Sequence, residues 1–226
     1  METADAYDRS RGDLRAEVAN LKRERIVEAA TRLFATHGFH GTSVDAVAAA
    51  LGVTKPFVYY HFKDKADILA AICRRGAELT LGAIKAAEVS RGTPAEQLAH
   101  FCRSMAAIVI DHSHFLAVYN RETNALRDSD RRGILRIRTE IDRRVVALIE
   151  VGQTSGEFHV DDLAVTAVSI TMMLSYLWIW YRENRTGSRS HVIETVTQLA
   201  LRMAGAKKQQ RIELRCRSEG GDRGCA

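Results

Sequence analysis

TKPFVYYHFKDKADIL, residues 54–69 of this 226-residue chain, gathers Phe57, Tyr59, Tyr60, His61 and Phe62 into six positions, although aromatic residues make up only 7% of the sequence. Proline precedes the cluster and lysines follow it. Thr54 has the chemistry of a helix N-cap, and Pro56 falls in the first turn, where a missing N–H costs nothing, so a short helix is predicted to begin at Lys55. Val58 and Phe62 stand four apart and share one face of that helix, leaving Lys55, Tyr59, Tyr60 and His61 to point elsewhere. Asp64 then caps a further helix, with Lys65 in its first turn.

The preceding residues explain what the short helix packs against. In KRERIVEAATRLFATHGFHG (residues 22–41), Ile26, Ala29, Ala30, Leu33 and Phe34 recur with the spacing of an amphipathic helix, which Gly38 is predicted to end. Thr42 is read as the next N-cap, and Asp45 adds negative charge to the first turn. Val44, Val47, Ala48 and Leu51 form the apolar face of a two-turn helix stopped by Gly52. Val58 and Phe62 are expected to lock against Val47 and Leu51. Two short helices joined by the LGVT turn, the second presenting polar-tipped side chains, describe a helix-turn-helix. A major groove admits such a helix, whose tyrosine, lysine and imidazole groups reach phosphates or base edges. The plainer reading is that an aromatic cluster at helical spacing is packed core.

The stretch from Arg25 to Leu69 resembles the DNA-binding domain of the TetR family of transcriptional regulators. Its features come in that family's order: Phe34 through Ser43 as F-x-x-x-G-F-x-x-T-S, Ala48 through Val53 as A-x-x-x-G-V, then YYHF at residues 59–62 and KADIL at 65–69. The resemblance implies that Tyr59, His61 and Lys65 hold phosphates. It makes Thr54, Lys55, Pro56, Phe57 and Tyr60 the groove-facing group, with Asp45 an acceptor for a cytosine amine. It implies an all-α fold, with an N-terminal three-helix DNA-binding domain over 21–66 and a C-terminal helical ligand-binding and dimerisation domain over 67–205. It further implies a homodimer formed through the last two long helices, reading a palindromic double-stranded operator, and repression as the sign of regulation.

Composition agrees with that class. The chain is 46% hydrophobic and 27% charged, with two prolines, which suits a soluble helical protein with a real core. Net charge is +5, which favours an anionic partner. Between Asn20 and Lys65 there are seven Lys/Arg against four Asp/Glu, a modest excess that dimerisation doubles. Cys73, Cys102, Cys216 and Cys225 show no paired spacing and follow no secretion signal, so a reducing cytoplasm is expected, with neither a disulfide framework nor a zinc site. Residues 1–20 lack apolar periodicity and are read as a flexible arm whose Arg9, Arg11 and Arg15 are either solvated or in a minor groove. The end, 206–226, is read as a disordered tail.

The remaining chain reads as a regulatory half. Thr93-Pro94-Ala95-Glu96 is a capping box opening a helix with Leu98, Phe101, Cys102, Met105, Ile108 and Val109 on one stripe. HFLAVYNRETNAL (114–126) leads to a long helix from about Ser129 to Gln153, ended by Gly156. LAVTAVSITMMLSYLWIWY (163–181) carries no formal charge and approaches the length of a membrane span, but its hydroxyls and its charged flanks favour one helix buried by neighbours and a partner subunit, with no membrane. The last helix, SHVIETVTQLALRMAG, aligns Val192, Val196, Leu199 and Met203.

Phe101, Met105, Phe115, Tyr119, Met172 and Trp178 suit a small hydrophobic effector. FLAVYNRETNAL and LWIWYRENRTGS resemble the branch of the family that governs lipid and sterol catabolism and senses acyl-CoA thioesters, in which Arg121 or Arg136 would meet CoA phosphates. The alternative is an enzyme or metal-binding helical protein built on His112 and His114 of DHSH. Adjacent helical positions diverge, however, and no HExxH, GxGxxG, Walker or GxSxG pattern occurs, so no catalytic residue, metal or cofactor is expected.

Overall fold

The computed structural model describes residues 2–182 and 187–207. They form α1 (Glu2–Gly41), α2 (Val44–Leu51), α3 (Lys55–His61), α4 (Lys65–Val89), α5 (Pro94–Asp111), α6 (Ser113–Glu122), a single 3-10 turn (Thr123–Ala125), α7 (Asp128–Thr154), α8 (Leu163–Ser175), α9 (Leu177–Trp180) and α10 (Arg189–Met203). No strand occurs among the described residues, so the all-α expectation is met. Cys216, Cys225 and the side chains of Arg9, Arg11 and Arg15 lie outside the described residues, as does the expected tail beyond Lys207.

The chain divides into two compact units, residues 1–75 with 117–131, and residues 76–116 with 132–226. The first extends past the expected boundary at 66 and takes in a segment from the middle of the sequence. In that unit α1, α2 and α3 bury Ile26, Ala30, Phe34, Val47, Val58 and Phe62, and the start of α4 adds Ile68, Leu69 and Ile72. Phe34 and Phe39 meet edge to face with ring centres 5.5 Å apart. Gly38, at φ 78°, takes the chain out of helical geometry as expected, because a side chain there would force a strained left-handed backbone.

Two local expectations change. Residues 2–20 continue α1 as helix instead of forming a flexible arm, since Ala, Leu, Arg and Glu favour helix and no proline interrupts them. Along this extension Leu14, Val18 and Leu21 are exposed. The cap of α2 is Ser43, whose hydroxyl accepts from the Ala46 N–H at 3.1 Å. Thr42 is instead buried and donates its hydroxyl to the Gly38 carbonyl at 2.9 Å.

In the second unit, α5 packs on α10 and on α8 around Leu98, Phe101, Cys102, Ile149, Ile170 and Leu201. The capping box is formed, with Glu96 N–H donating to Thr93 and the Glu96 carboxylate accepting from Thr93 N–H. Arg103 of α5 forms two bonds to Glu194 of α10, at 2.9 and 3.3 Å. Gly152 is required for packing: a Cβ there would stand 2.1 Å from the Phe158 ring. Burial pushes the Cys102 thiol up to about 12, so this cysteine is an inert core residue.

The uncharged run is not one helix. It breaks at Tyr176 into α8 and the single turn α9, although no proline or glycine lies between Leu163 and Tyr181. Leu163–Trp180 has the length and apolarity of a membrane span, with 28% of the stretch buried. Val165, Val168, Met172, Tyr176, Ile179 and Trp180 are exposed along it, as are Leu199 and Met203 on α10.

Candidate nucleic-acid interface

The reading head is assembled from caps. Gly52, left-handed at φ 66°, stops α2, and the Val53 N–H returns to the Ala48 carbonyl at 3.0 Å. Thr54 is the N-cap of α3, without a side-chain cap bond, and Pro56 sits in the first turn. Phe62 ends α3, its N–H returning to Val58, and its ring is buried. Asp64 caps α4 by accepting from the Asp67 N–H at 2.9 Å, while Asp67 accepts from the Lys63 N–H at 3.2 Å. The bond from the Asp67 N–H, together with Arg127, holds the Asp64 carboxyl below its ordinary range.

These constraints leave one side of α3 open. Tyr60 is 84% exposed and Tyr59 45%, and Lys55 and Pro56 are exposed beside them. Phe57 is half-buried, with the His61 ring edge-on at 5.1 Å, and His61 also meets Tyr60 at 5.0 Å. The imidazole is held below its ordinary pKa by partial burial and then by the charges of Lys22 and Arg23, so it is neutral near pH 7. Tyr59, Tyr60 and His61 therefore present hydroxyls and an imidazole to solvent from a helix locked underneath by Val58 and Phe62.

Two of the expected contacts are already engaged within the head. Lys55 pairs with Asp45 at 2.7 Å across α2 and α3, and this hydrogen bond raises the lysine pKa. The Lys65 ammonium donates to the carbonyls of Phe39 at 2.7 Å and Thr42 at 2.8 Å, and lies 4.5 Å from the centre of the Phe39 ring. Lys65 thus pins the α1–α2 turn, with one of its three N–H donors left over.

Other residues of the head carry roles that their local sequence does not announce. Arg23 of α1 lies 3.9 Å over the Phe62 ring and donates to the His61 carbonyl at 2.7 Å, closing the end of α3. Lys22 stands 5.9 Å from the centre of Phe57. From the 117–131 segment, Arg121 donates to the Phe34 carbonyl and, at 3.0 Å, to the Ala35 carbonyl, where α1 runs out of helical partners. Glu122 accepts from the Phe39 N–H at 3.1 Å, and Arg127 pairs with Asp64. Arg121 and Phe34 are 87 residues apart, which is why spacing gave no signal.

The expected effector contacts are divided between the two units. Tyr119 and Arg121 belong to the same unit as the reading head. Phe101 and Met105 are buried core of the second unit, and Met172 is 41% exposed on α8. Phe115 is half-buried, with the His112 ring 6.0 Å away, centre to centre. Trp178 is half-buried, and its indole nitrogen is closed off with no hydrogen-bond partner among the described residues.

Family models match both units. Residues 26–72 match the model for bacterial regulatory proteins of the tetR family, and residues 91–204, about half of the chain, match the tetracyclin repressor-like C-terminal domain. The chain is 25% identical over 162 residues to the transcriptional repressor KstR2 of Mycolicibacterium smegmatis, covering 70% of this chain and 78% of that one. A tetR-family regulatory protein from Rhodococcus RHA1 superposes with a TM-score of 0.76 at 27% identity, over 83% of this chain and 98% of the other. AibR, solved with isovaleryl coenzyme A and operator DNA, gives a TM-score of 0.70 at 22% identity, over 79% and 97%, a likeness of fold. Against a curated Bacillus subtilis regulator, 27% identical over 156 residues and 67% of this chain, the match spans 54% of that protein's length.

Proposed function

The chain belongs to the TetR family of bacterial regulatory proteins, and on that premise we propose that it is a cytoplasmic, dimeric repressor released from a palindromic operator by a hydrophobic effector. The observation that carries the reading is the exposed side of α3, where Tyr59, Tyr60, His61 and Lys55 converge on a helix fixed from below and at both ends. Tyr59, His61 and the remaining donor of Lys65 hold phosphates, while Lys55, Phe57, Tyr60 and the start of α3 approach base edges. Asp45 shares its carboxylate between Lys55 and a cytosine amine.

The dimer forms through α8, α9 and α10, whose exposed Val165, Val168, Met172, Leu199 and Met203 need cover. A membrane is the poorer cover: the 13 residues of α8 span only about 20 Å before the break, against the roughly 30 Å of a bilayer core. The effector is an acyl-CoA or related thioester. This is supported by the apolar residues of the regulatory unit and by the fold shared with AibR, itself solved with isovaleryl coenzyme A. Repression is supported by the repressor KstR2.

Effector binding favours an arrangement of the dimer in which the heads no longer match the operator spacing, and operator affinity falls by the difference in binding energy between the two states. Selection of bound fragments from genomic DNA tests the whole reading. The expected result is one palindromic motif whose binding is reversed by long-chain acyl-CoA. Binding without sequence preference, or none, would refute it.

A further inference from the structure

We propose that the Trp178 indole N–H is the polar contact for the effector, donating to the neutral thioester carbonyl of an acyl-CoA; this rests on the effector reading above. Indole nitrogen is a donor only, and a buried donor without an acceptor has given up its hydrogen bond to water for nothing in return, so native proteins rarely keep one. Here the donor is closed off and meets no acceptor among the described residues. Neither bulk water nor a second subunit covering the outer face of α9 reaches it as the unit stands.

The neighbouring helices do not supply the acceptor. Trp178 packs against the core formed with α5 and α8. The buried side chains of α5, including Phe101, Met105 and Val109, carry no oxygen. On α8 the buried side-chain oxygen is that of Thr171, whose hydroxyl donates to the Val168 carbonyl at 3.0 Å and does not accept from the indole. The buried side chains of these two helices hold no cation either, and a neutral carbonyl on an acyl chain matches that apolar lining.

The helix break points the same way. Kinks in helices have causes, usually proline, glycine or an inserted group, and Leu163–Tyr181 contains neither proline nor glycine. At Tyr176 the chain turns through φ −93° and ψ 4°, and Ile179 N–H bonds back to Tyr176 in a tightened turn. The result sets Trp178 on its own single turn, Leu177–Trp180, apart from α8.

The test uses the full-length protein labelled with [15N]tryptophan, which carries two indole signals, from Trp178 and Trp180, with Trp180→Phe to distinguish them. The probes are decanoyl-CoA, the thioether S-decyl-CoA, which lacks the carbonyl, and decanoate. Decanoyl-CoA alone is expected to move the Trp178 indole proton downfield. Trp178→Phe is expected to weaken decanoyl-CoA about tenfold, to abolish its advantage over S-decyl-CoA, and to leave ligand-free thermal stability unchanged or higher. Binding of decanoyl-CoA with an unmoved Trp178 signal, or with equal affinity in Trp178→Phe, overturns the inference while the effector reading stands. Binding of none of the probes overturns both. Should Trp178→Phe fail to fold, the indole signal in the Trp180→Phe protein decides alone.

Discussion

The two units each expose aromatic or apolar side chains, but of different chemistry. On α3 the exposed groups are tyrosines, with hydroxyl tips, beside Lys55 and Asp45. Along α8 to α10 they are Val165, Val168, Met172, Ile179 and Leu199, with no charge between Leu163 and Tyr181. The first surface suits a hydrated polyanion, which is met through charges and hydrogen bonds. The second suits another dry protein surface. Exposure alone therefore says little about a partner until the tips of the exposed side chains are read.

The contrast is broken most sharply by charging the apolar surface. Met172→Glu with Leu199→Glu should convert dimer to monomer in light scattering and lower operator affinity about 100-fold, since two linked heads bind far better than one. A variant that stays dimeric would move the interface elsewhere.

Within the head, Tyr60 and Lys65 should separate. Tyr60→Ala should leave chemical-denaturation stability within about 0.5 kcal/mol while weakening operator binding roughly tenfold. Lys65→Met removes two charge-assisted bonds to carbonyls and should cost roughly 1.5–3 kcal/mol of stability as well as affinity. Equal behaviour of the two variants would mean that the Lys65 bridge contributes nothing to the turn.

The smallest expected effect is a pH dependence at His61. Its pKa is depressed in the free protein, chiefly by burial, and a phosphate beside it would raise that value, so binding takes up a proton. Operator affinity should rise a few-fold as pH falls from about 8 to 6, and His61→Gln should flatten the slope. The linkage to folding has the opposite sign: with the folded pKa below the unfolded one, the contribution of neutral His61 to stability is lost as pH falls from 6.5 through the folded value.

What could be read in advance was set by distance along the chain. Gly52, Pro56, Asp64 and the Thr93–Glu96 box act on residues within a few positions, so their helices were legible from local chemistry. The extension of α1 has no periodic signal, because a helix can persist on propensity without an apolar stripe. Thr42 and Ser43 share the chemistry of a cap, and burial of Thr42 leaves Ser43 to cap α2. Arg23, Arg121 and Glu122 act across 38, 87 and 83 residues, and a surface arginine in a sequence looks the same whether it is solvated or capping a distant helix. The break at Tyr176 had no signal, because neither proline nor glycine produces it. Residue type marks core as readily as a binding site, so it does not by itself separate the two at Phe101 and Met105.

The bonds from Arg121 and Glu122 to Phe34, Ala35 and Phe39 bear on how this chain can be recombined. A reading head excised at residue 66 or 75 leaves behind the groups that close α1 and brace its turn, so it is an incomplete module. Chimaeras that exchange specificity between relatives should carry residues 117–131 together with 1–75, as a discontinuous cassette of two pieces.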